Sequence, residues 1–300
     1  MQHSFIEANG LQLCYDEFGT AGRPTVILVM GLGTQMISWP EPFCQRIADG
    51  GYRVIRFDNR DIGLSQKLDG EKIPGLLQMM IAGRLGLSFR VPYTLADMAA
   101  DTVGLMDALG VARAHLVGVS MGGMVSQLVS SEFSHRVLSL TSIMSSSGAR
   151  HLPGASAQIR RHMMRRAPPG ENNYLRHAMR TWQLIGSKAY PPDPDALRER
   201  LLTAYRRSYY PQGYLRQMAA ILASGDRVEL LRSLRLPTLV IHGTDDPLVP
   251  VEAGVHTAEL VPNSRLELIE GMGHDLPRQL LTKLADLILE QTNSVESKAA

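Results

Sequence analysis

Three residue types that together can make an alcohol reactive stand far apart in this 300-residue chain: Ser120, Asp246 and His274. Ser120 lies in Gly118-Val119-Ser120-Met121-Gly122, a G-x-S-x-G pattern. Such a pattern holds a serine on a sharp turn between a strand and a helix. An apolar run from His115 to Val119 precedes it, and a helical pattern from Gly122 towards Glu132 follows at once. The glycines relieve crowding where a strained turn brings neighbouring elements close. The same turn aims the first helical amides, with the positive end of the helix dipole, at the hydroxyl. A pattern this short also arises by chance in serine turns of no function, so its context must decide.

A serine hydroxyl is a poor nucleophile at neutral pH and needs a histidine base held by an acid. Open α/β sheets carry such groups on loops at the carboxyl ends of strands. The apolar run Pro237 to His242 ends in Gly243-Thr244-Asp245-Asp246-Pro247. Asp246, extended because proline follows it, is the expected orienting acid. Asp245 is expected to hydrogen-bond its own turn. After the run Val137 to Met144, residues 145–150 hold no carboxylate, which removes one competitor. The run Arg265 to Ile269 leads into Gly271-Met272-Gly273-His274, and of nine histidines only His274 sits on a loop after a late strand. His115, His242 and His256 fall within strands or a helix and read as structural. A tetrahedral intermediate also needs two fixed N–H donors for its oxyanion. The amide of Met121 is one candidate. The amide of Leu32, between Gly31 and Gly33 after the run Thr25 to Met30, is the other. The side chains of Leu32 and Met121 are expected to wall the pocket.

Composition narrows the class. The net charge of +2 gives no reason to expect nucleic acid as a partner, and two cysteines, Cys14 and Cys44, exclude a disulfide scaffold or a cysteine-rich zinc site. Both read as buried apolar residues. No basic start with an apolar run marks a secretory leader, and no window reaches membrane-spanning length. The expectation is a cytoplasmic enzyme without metal or organic cofactor, acting on a small molecule. The oligomeric state is left open, a homo-oligomer included.

The positioning elements follow from periodicity. Ser4–Ala8 and Leu11–Glu17 flank Asn9-Gly10, a hairpin signal. Strands at Thr25–Met30, Tyr52–Phe57, His115–Val119, Val137–Met144, Pro237–His242 and Arg265–Ile269 are nearly continuous apolar runs. Helices are expected over Trp39–Asp49, from Thr94 to Leu109 with a capping-box-like Asp97, near Val251–Leu260 and over Leu276–Gln291, with the chain fraying from about Ser294. Strands alternating with helices predict a mostly parallel sheet covered on both faces, edged by the hairpin. Residues 66–92 read as an irregular insertion in which Met79, Met80 and Ile81 pack in the core or line the site. From 148 to 235 helical patterns occur without a strand, too long for a structureless loop. This segment is expected to be a helical cap inserted into a core of residues 1–147 and 236–300. It carries fifteen Arg and one Lys against six acidic residues, +10, which leaves −8 for the rest. Solvated faces and ion pairs to the acidic core are one reading; a field favouring an anionic substrate or a partner surface is the other.

With these pieces together the chain resembles the α/β-hydrolase superfamily along nearly its whole length. The matching segments are Val29-Met30-Gly31-Leu32-Gly33, Asp58 to Ser65, Gly118 to Gly123, His242 to Pro247 and Gly271 to His274. The resemblance implies an eight-stranded, mostly parallel α/β-hydrolase fold with an inserted cap. It also implies a triad of Ser120, Asp246 and His274, and Leu32 with Met121 at the oxyanion hole. Met30-Gly31 departs from the frequent His-Gly, and Arg60-Asp61 from the frequent Arg-Gly. These departures, with Ser38-Trp39-Pro40 and Gly-Met-Gly-His-Asp-Leu-Pro, look like the aclacinomycin methylesterase branch, which removes a methyl ester from an aromatic polyketide. Gly31, Gly33 and Trp39 are the expected substrate contacts. The implied activity is hydrolysis of a carboxylic ester through an acyl-enzyme. Amide or carbon–carbon bond hydrolysis, perhydrolysis and a non-catalytic receptor are the alternatives. Haloalkane dehalogenase and epoxide hydrolase chemistry would need an aspartate where Ser120 stands.

Overall fold

The computed structural model describes residues 3–75, 78, 79, 81, 89–165 and 168–299. The chain opens with β1 (Ser4–Ala8) and β2 (Leu11–Phe18), an antiparallel pair joined at Asn9 and Gly10. Both turn residues have positive φ, 52° and 72°, as a two-residue hairpin with right-handed strand twist requires. Then come β3 (Thr25–Val29), α1 (Glu41–Asp49), β4 (Arg53–Phe57), α2 (Leu95–Ala108), β5 (Ala114–Val119), α3 (Met121–Glu132) and β6 (Val137–Ile143). After a long helical segment the core resumes with β7 (Thr238–Gly243), α9 (Glu252–Leu260), β8 (Arg265–Ile269) and α10 (Leu281–Ala299). The eight strands form one sheet in the order β1-β2-β4-β3-β5-β6-β7-β8, parallel from β4 to β8.

The continuous apolar strands fill two cores at once, because successive side chains leave a strand on opposite faces. Along β3, Val26 and Leu28 join Phe43 and Ile47 of α1 and Leu284 and Ile288 of α10. Ile27 and Val29 join Leu95 and Met98 of α2 and Val125 and Val129 of α3 on the other face. Thr94 caps α2 with the reciprocal Asp97 bond, the box that the spacing predicts. Cys14 and Cys44 are buried, and burial pushes both thiols up to about 12.

Segment 148–235 carries α4 (Ala157–Met163), α5 (Glu171–Ile185), α6 (Pro194–Arg207), α7 (Pro211–Ala223) and α8 (Val228–Ser233), with no strand among its described residues. The helices α4 to α6 build small cores of their own, around Ile159 and Ile185 and around Leu175, Leu197 and Leu201. The last helix behaves differently. Leu231 of α8 packs with Leu140 of β6 and Leu260 of α9, so α8 sits with the sheet.

Three expectations shift. The helix expected from Trp39 begins at Glu41, because Trp39 precedes Pro40 and is held extended at ψ 104°. The final helix does not fray at Ser294; it continues to Ala299. Tyr52 donates to Asn293 at 2.8 Å, and His115 pairs with Glu296 at 3.1 Å, which ties that last stretch to the core. Within the expected insertion over 66–92, Met79 is buried and Ile81 half exposed, whereas Met80 lies outside the described residues.

Candidate active site

Ser120 occupies the turn between β5 and α3 with φ 54° and ψ −121°, a region that side-chain-bearing residues avoid. Conformations of this kind cost about 1–3 kcal/mol and persist only where their surroundings enforce them. Here the enforcement is visible. The Ser120 N–H donates to the Ile143 carbonyl, and the Ser120 carbonyl accepts from the Ser145 hydroxyl. A β-carbon on Gly118 would lie 2.2 Å from the Gly122 carbonyl oxygen, and one on Gly122 would lie 2.1 Å from that of Val29. Only hydrogen fits at either position, so the G-x-S-x-G spacing follows from backbone packing.

The structure brings the three candidate residues together at one end of the parallel strands. His274, on the loop after β8, has Nε2 at 3.0 Å from Ser120 Oγ. Its Nδ1 is 2.6 Å from Asp246 Oδ2, on the loop after β7. The other carboxylate oxygen of Asp246 accepts the amides of Leu248 and Val249 at 2.9 and 2.8 Å. A carboxylate only accepts, so Nδ1 carries the imidazole hydrogen and Nε2 is free to accept from the serine hydroxyl. Asp246 is buried, whereas Asp245 is exposed and takes a bond from the adjacent Thr244 hydroxyl. His242 Nε2 lies 3.6 Å from Asp246 Oδ2, too long for a hydrogen bond, and donates instead to the Val249 carbonyl at 2.8 Å. Burial holds His242 below the ordinary histidine value despite that carbonyl and the neighbouring carboxylate. His115 is likewise engaged elsewhere, with Ser139 and Glu296.

The loop after β3 lies directly against the elbow. A β-carbon on Gly31 would be 3.2 Å from that of Ser120. Asn59 Nδ2 donates to the Met30 carbonyl at 2.9 Å, and the Gly33 amide donates to Gln217 Oε1 of α7 at 2.9 Å. The Leu32 amide between them has no bond to a carbonyl or side chain among the described residues. Gly33, at φ 66°, lies under the Tyr214 ring of α7, whose Cδ2 would be 2.5 Å from a β-carbon there. Two expected contributors sit elsewhere. Trp39 is fully buried, stacked on Phe43 at 5.4 Å between centroids, and has no surface to offer a ligand. The Met121 side chain is buried with Val125 in the α2–α3 core, so it cannot wall a pocket, although its amide still opens the helix beside Ser120.

Sequence reasoning missed the groups that fasten this site to the helical segment. Arg207 of α6 reaches Asp58 at 2.7 Å, and Arg216 of α7 grips Asp61 with two bonds of 2.8 and 2.9 Å. Both aspartates are fully buried. Burial raises the Asp61 carboxyl, but Arg216 and the Leu68 amide outweigh it and hold it below the usual range. Part of the basic excess is therefore spent on ion pairs with the core. No local signal could pair residues so far apart; the Asp58-Asn59-Arg60-Asp61 run only marked one half of each contact. No group of three or more metal-ligating side chains occurs among the described residues.

A serine on a strand–helix elbow, a late-loop histidine and acid, and an eight-stranded sheet define a class. The α/β-hydrolase fold family matches residues 24–277, and the chain belongs to it. Over nearly its full length the chain is similar to two rhodomycin D methylesterases. It is 27% identical to DauP from a Streptomyces strain and 26% identical to DnrP from Streptomyces peucetius, each match covering 98% of this chain and 99% of the relative. It is 27% identical to 3-oxoadipate enol-lactonase 2 from Acinetobacter baylyi, over 88% of this chain and 87% of that one. Among solved structures, the meta-cleavage product hydrolase CumD from Pseudomonas fluorescens superposes with a TM-score of 0.76 at 19% identity, covering 97% of both chains. A thermophilic esterase from Thermogutta terrifontis gives 0.74 at 23%, over 98% of this chain and 99% of that one. These two superpositions show the fold. The chain is an α/β-hydrolase with esterase relatives.

Proposed function

We propose that the protein is a serine carboxylic-ester hydrolase for a small or medium, largely apolar ester, with a methyl ester as the leading candidate. The observation that carries this reading is the relay Asp246–His274–Ser120, joined at 2.6 and 3.0 Å around a strained elbow. Ser120 attacks the ester carbonyl while His274 Nε2 takes its proton. Asp246 holds the ring in the right tautomer and stabilises the imidazolium that forms. The amides of Leu32 and Met121 receive the oxyanion, each worth roughly 3 kcal/mol of barrier if well placed. The protonated histidine hands its proton to the departing alcohol, leaving an acyl group on Ser120. Water, deprotonated by the same histidine, then releases the acid. The methyl ester rests on the rhodomycin D methylesterase similarity.

The test is a Ser120→Ala variant assayed on p-nitrophenyl acetate and on a panel of methyl esters, with an amide and a perhydrolysis assay alongside. Hydrolysis by the parent, its loss in the variant, and fluorophosphonate labelling of the parent only are expected. A variant that turns over at the parent rate would overturn the reading.

A further inference from the structure

The Leu32 amide proposed to receive charge and the imidazole proposed to move the proton both sit on loops, and misplacement by about 1 Å can cost 10²-fold in rate. Segment 148–235 touches each loop with one buried polar side chain. Gln217 of α7 has no exposed surface, and its two ends are committed: Oε1 accepts from Gly33 at 2.9 Å and Nε2 donates to the Arg60 carbonyl at 3.0 Å. This fixes the peptide next to Leu32. Ser187, just after α5, bridges the other loop. Its amide, at 2.9 Å, and its hydroxyl both donate to Asp275 Oδ1, and that hydroxyl accepts the Gly273 amide at 2.7 Å. The His274 amide itself donates to the Ile185 carbonyl at 2.8 Å. A β-carbon on Gly273 would lie 2.7 Å from the Ser187 nitrogen, so the histidine loop is seated on residues 185–187 without a gap. Neither Gln217 nor Ser187 bonds to Ser120, His274 or Asp246 side chains. Helices α6 and α7 carry separate ties to the core, Arg207–Asp58 and Arg216–Asp61.

We propose that Gln217 and Ser187 are positioning residues, through which the inserted helices set the oxyanion loop and the histidine loop. On this view the cap is part of the catalytic framework. The inference rests on the ester-hydrolase reading above.

The experiment compares Gln217→Met and Ser187→Ala with the parent, each full length, using kcat and KM on p-nitrophenyl butyrate normalised to sites titrated by a fluorophosphonate. The expected result is a kcat lower by roughly 10- to 100-fold in each, with KM within about twofold. Gln217→Met is expected to lose affinity for a boronic acid transition-state analogue by the same factor as its kcat. Ser187→Thr, which keeps the hydroxyl, is expected to recover the kcat that Ser187→Ala loses. Parent kcat in both variants would overturn the inference, as would losses that vanish once rates are expressed per titrated site. A parent that neither labels at Ser120 nor hydrolyses any ester would instead sink the reading beneath it.

Discussion

Replacing Asp246 by asparagine keeps the shape and changes only the hydrogen-bonding logic. In the parent, Oδ1 accepts two backbone amides and Oδ2 faces His274 Nδ1 at 2.6 Å. A carboxamide has one accepting oxygen. If that oxygen takes the Leu248 and Val249 amides, the NH2 group faces Nδ1 and drives the ring into the tautomer with hydrogen on Nε2. That ring cannot accept the Ser120 proton. If the carboxamide turns over, its NH2 meets two amide donors and forfeits two part-buried hydrogen bonds, at about 1 kcal/mol each. His242 offers no substitute, since it is spent on the Val249 carbonyl. The expected loss in kcat/KM is on the order of 10⁴-fold, about 5.5 kcal/mol, with KM little changed. Ester hydrolysis and the rate of fluorophosphonate labelling would be measured together, with circular dichroism to establish that the variant is folded. A folded Asp246→Asn protein within about tenfold of the parent would refute the assignment of both the acid and the tautomer.

Two further outcomes follow from the same geometry. Arg216→Met leaves Asp61 buried without its guanidinium, and urea unfolding should show a loss of about 3–5 kcal/mol; the double variant with Asp61→Asn should lose less than the sum of the two single changes. His162 and His177 stack at 4.3 Å in the helical segment, and both are held below the ordinary histidine value, first by burial and then by Arg180 for His162 and by His162 for His177. Folding therefore favours their neutral forms. Their contribution is complete above the ordinary value of about 6.5 and is lost as pH falls through the lowered ones. His177→Phe should accordingly flatten the fall in thermal stability as pH drops below about 6.5, and an unchanged slope would sink that account.

Much of the fold was legible because burial on both faces leaves a plain trace. Strands such as Thr25–Val29 and Ala114–Val119 are apolar at nearly every position, and helices between them carry their own stops. Misreadings arose where a tertiary contact overrode a local rule. Ser294–Ala299 looks polar enough to fray, yet Asn293 and Glu296 find Tyr52 and His115 across the fold. Trp39 looks like a surface a ligand could use, yet the loop buries it on Phe43.

The sequence alone determined which atoms could do chemistry. G-x-S-x-G spacing is visible as a motif around Ser120, and the acid and histidine stand after strands that local patterning marks. Only the tertiary structure decided what holds them. Gln217 and Gly33 are 184 residues apart, Ser187 and Asp275 are 88 apart, and Arg216 and Asp61 are 155 apart. A buried amide or hydroxyl is placed by the partners that folding brings within reach, and that meeting of distant segments leaves no period or motif in either.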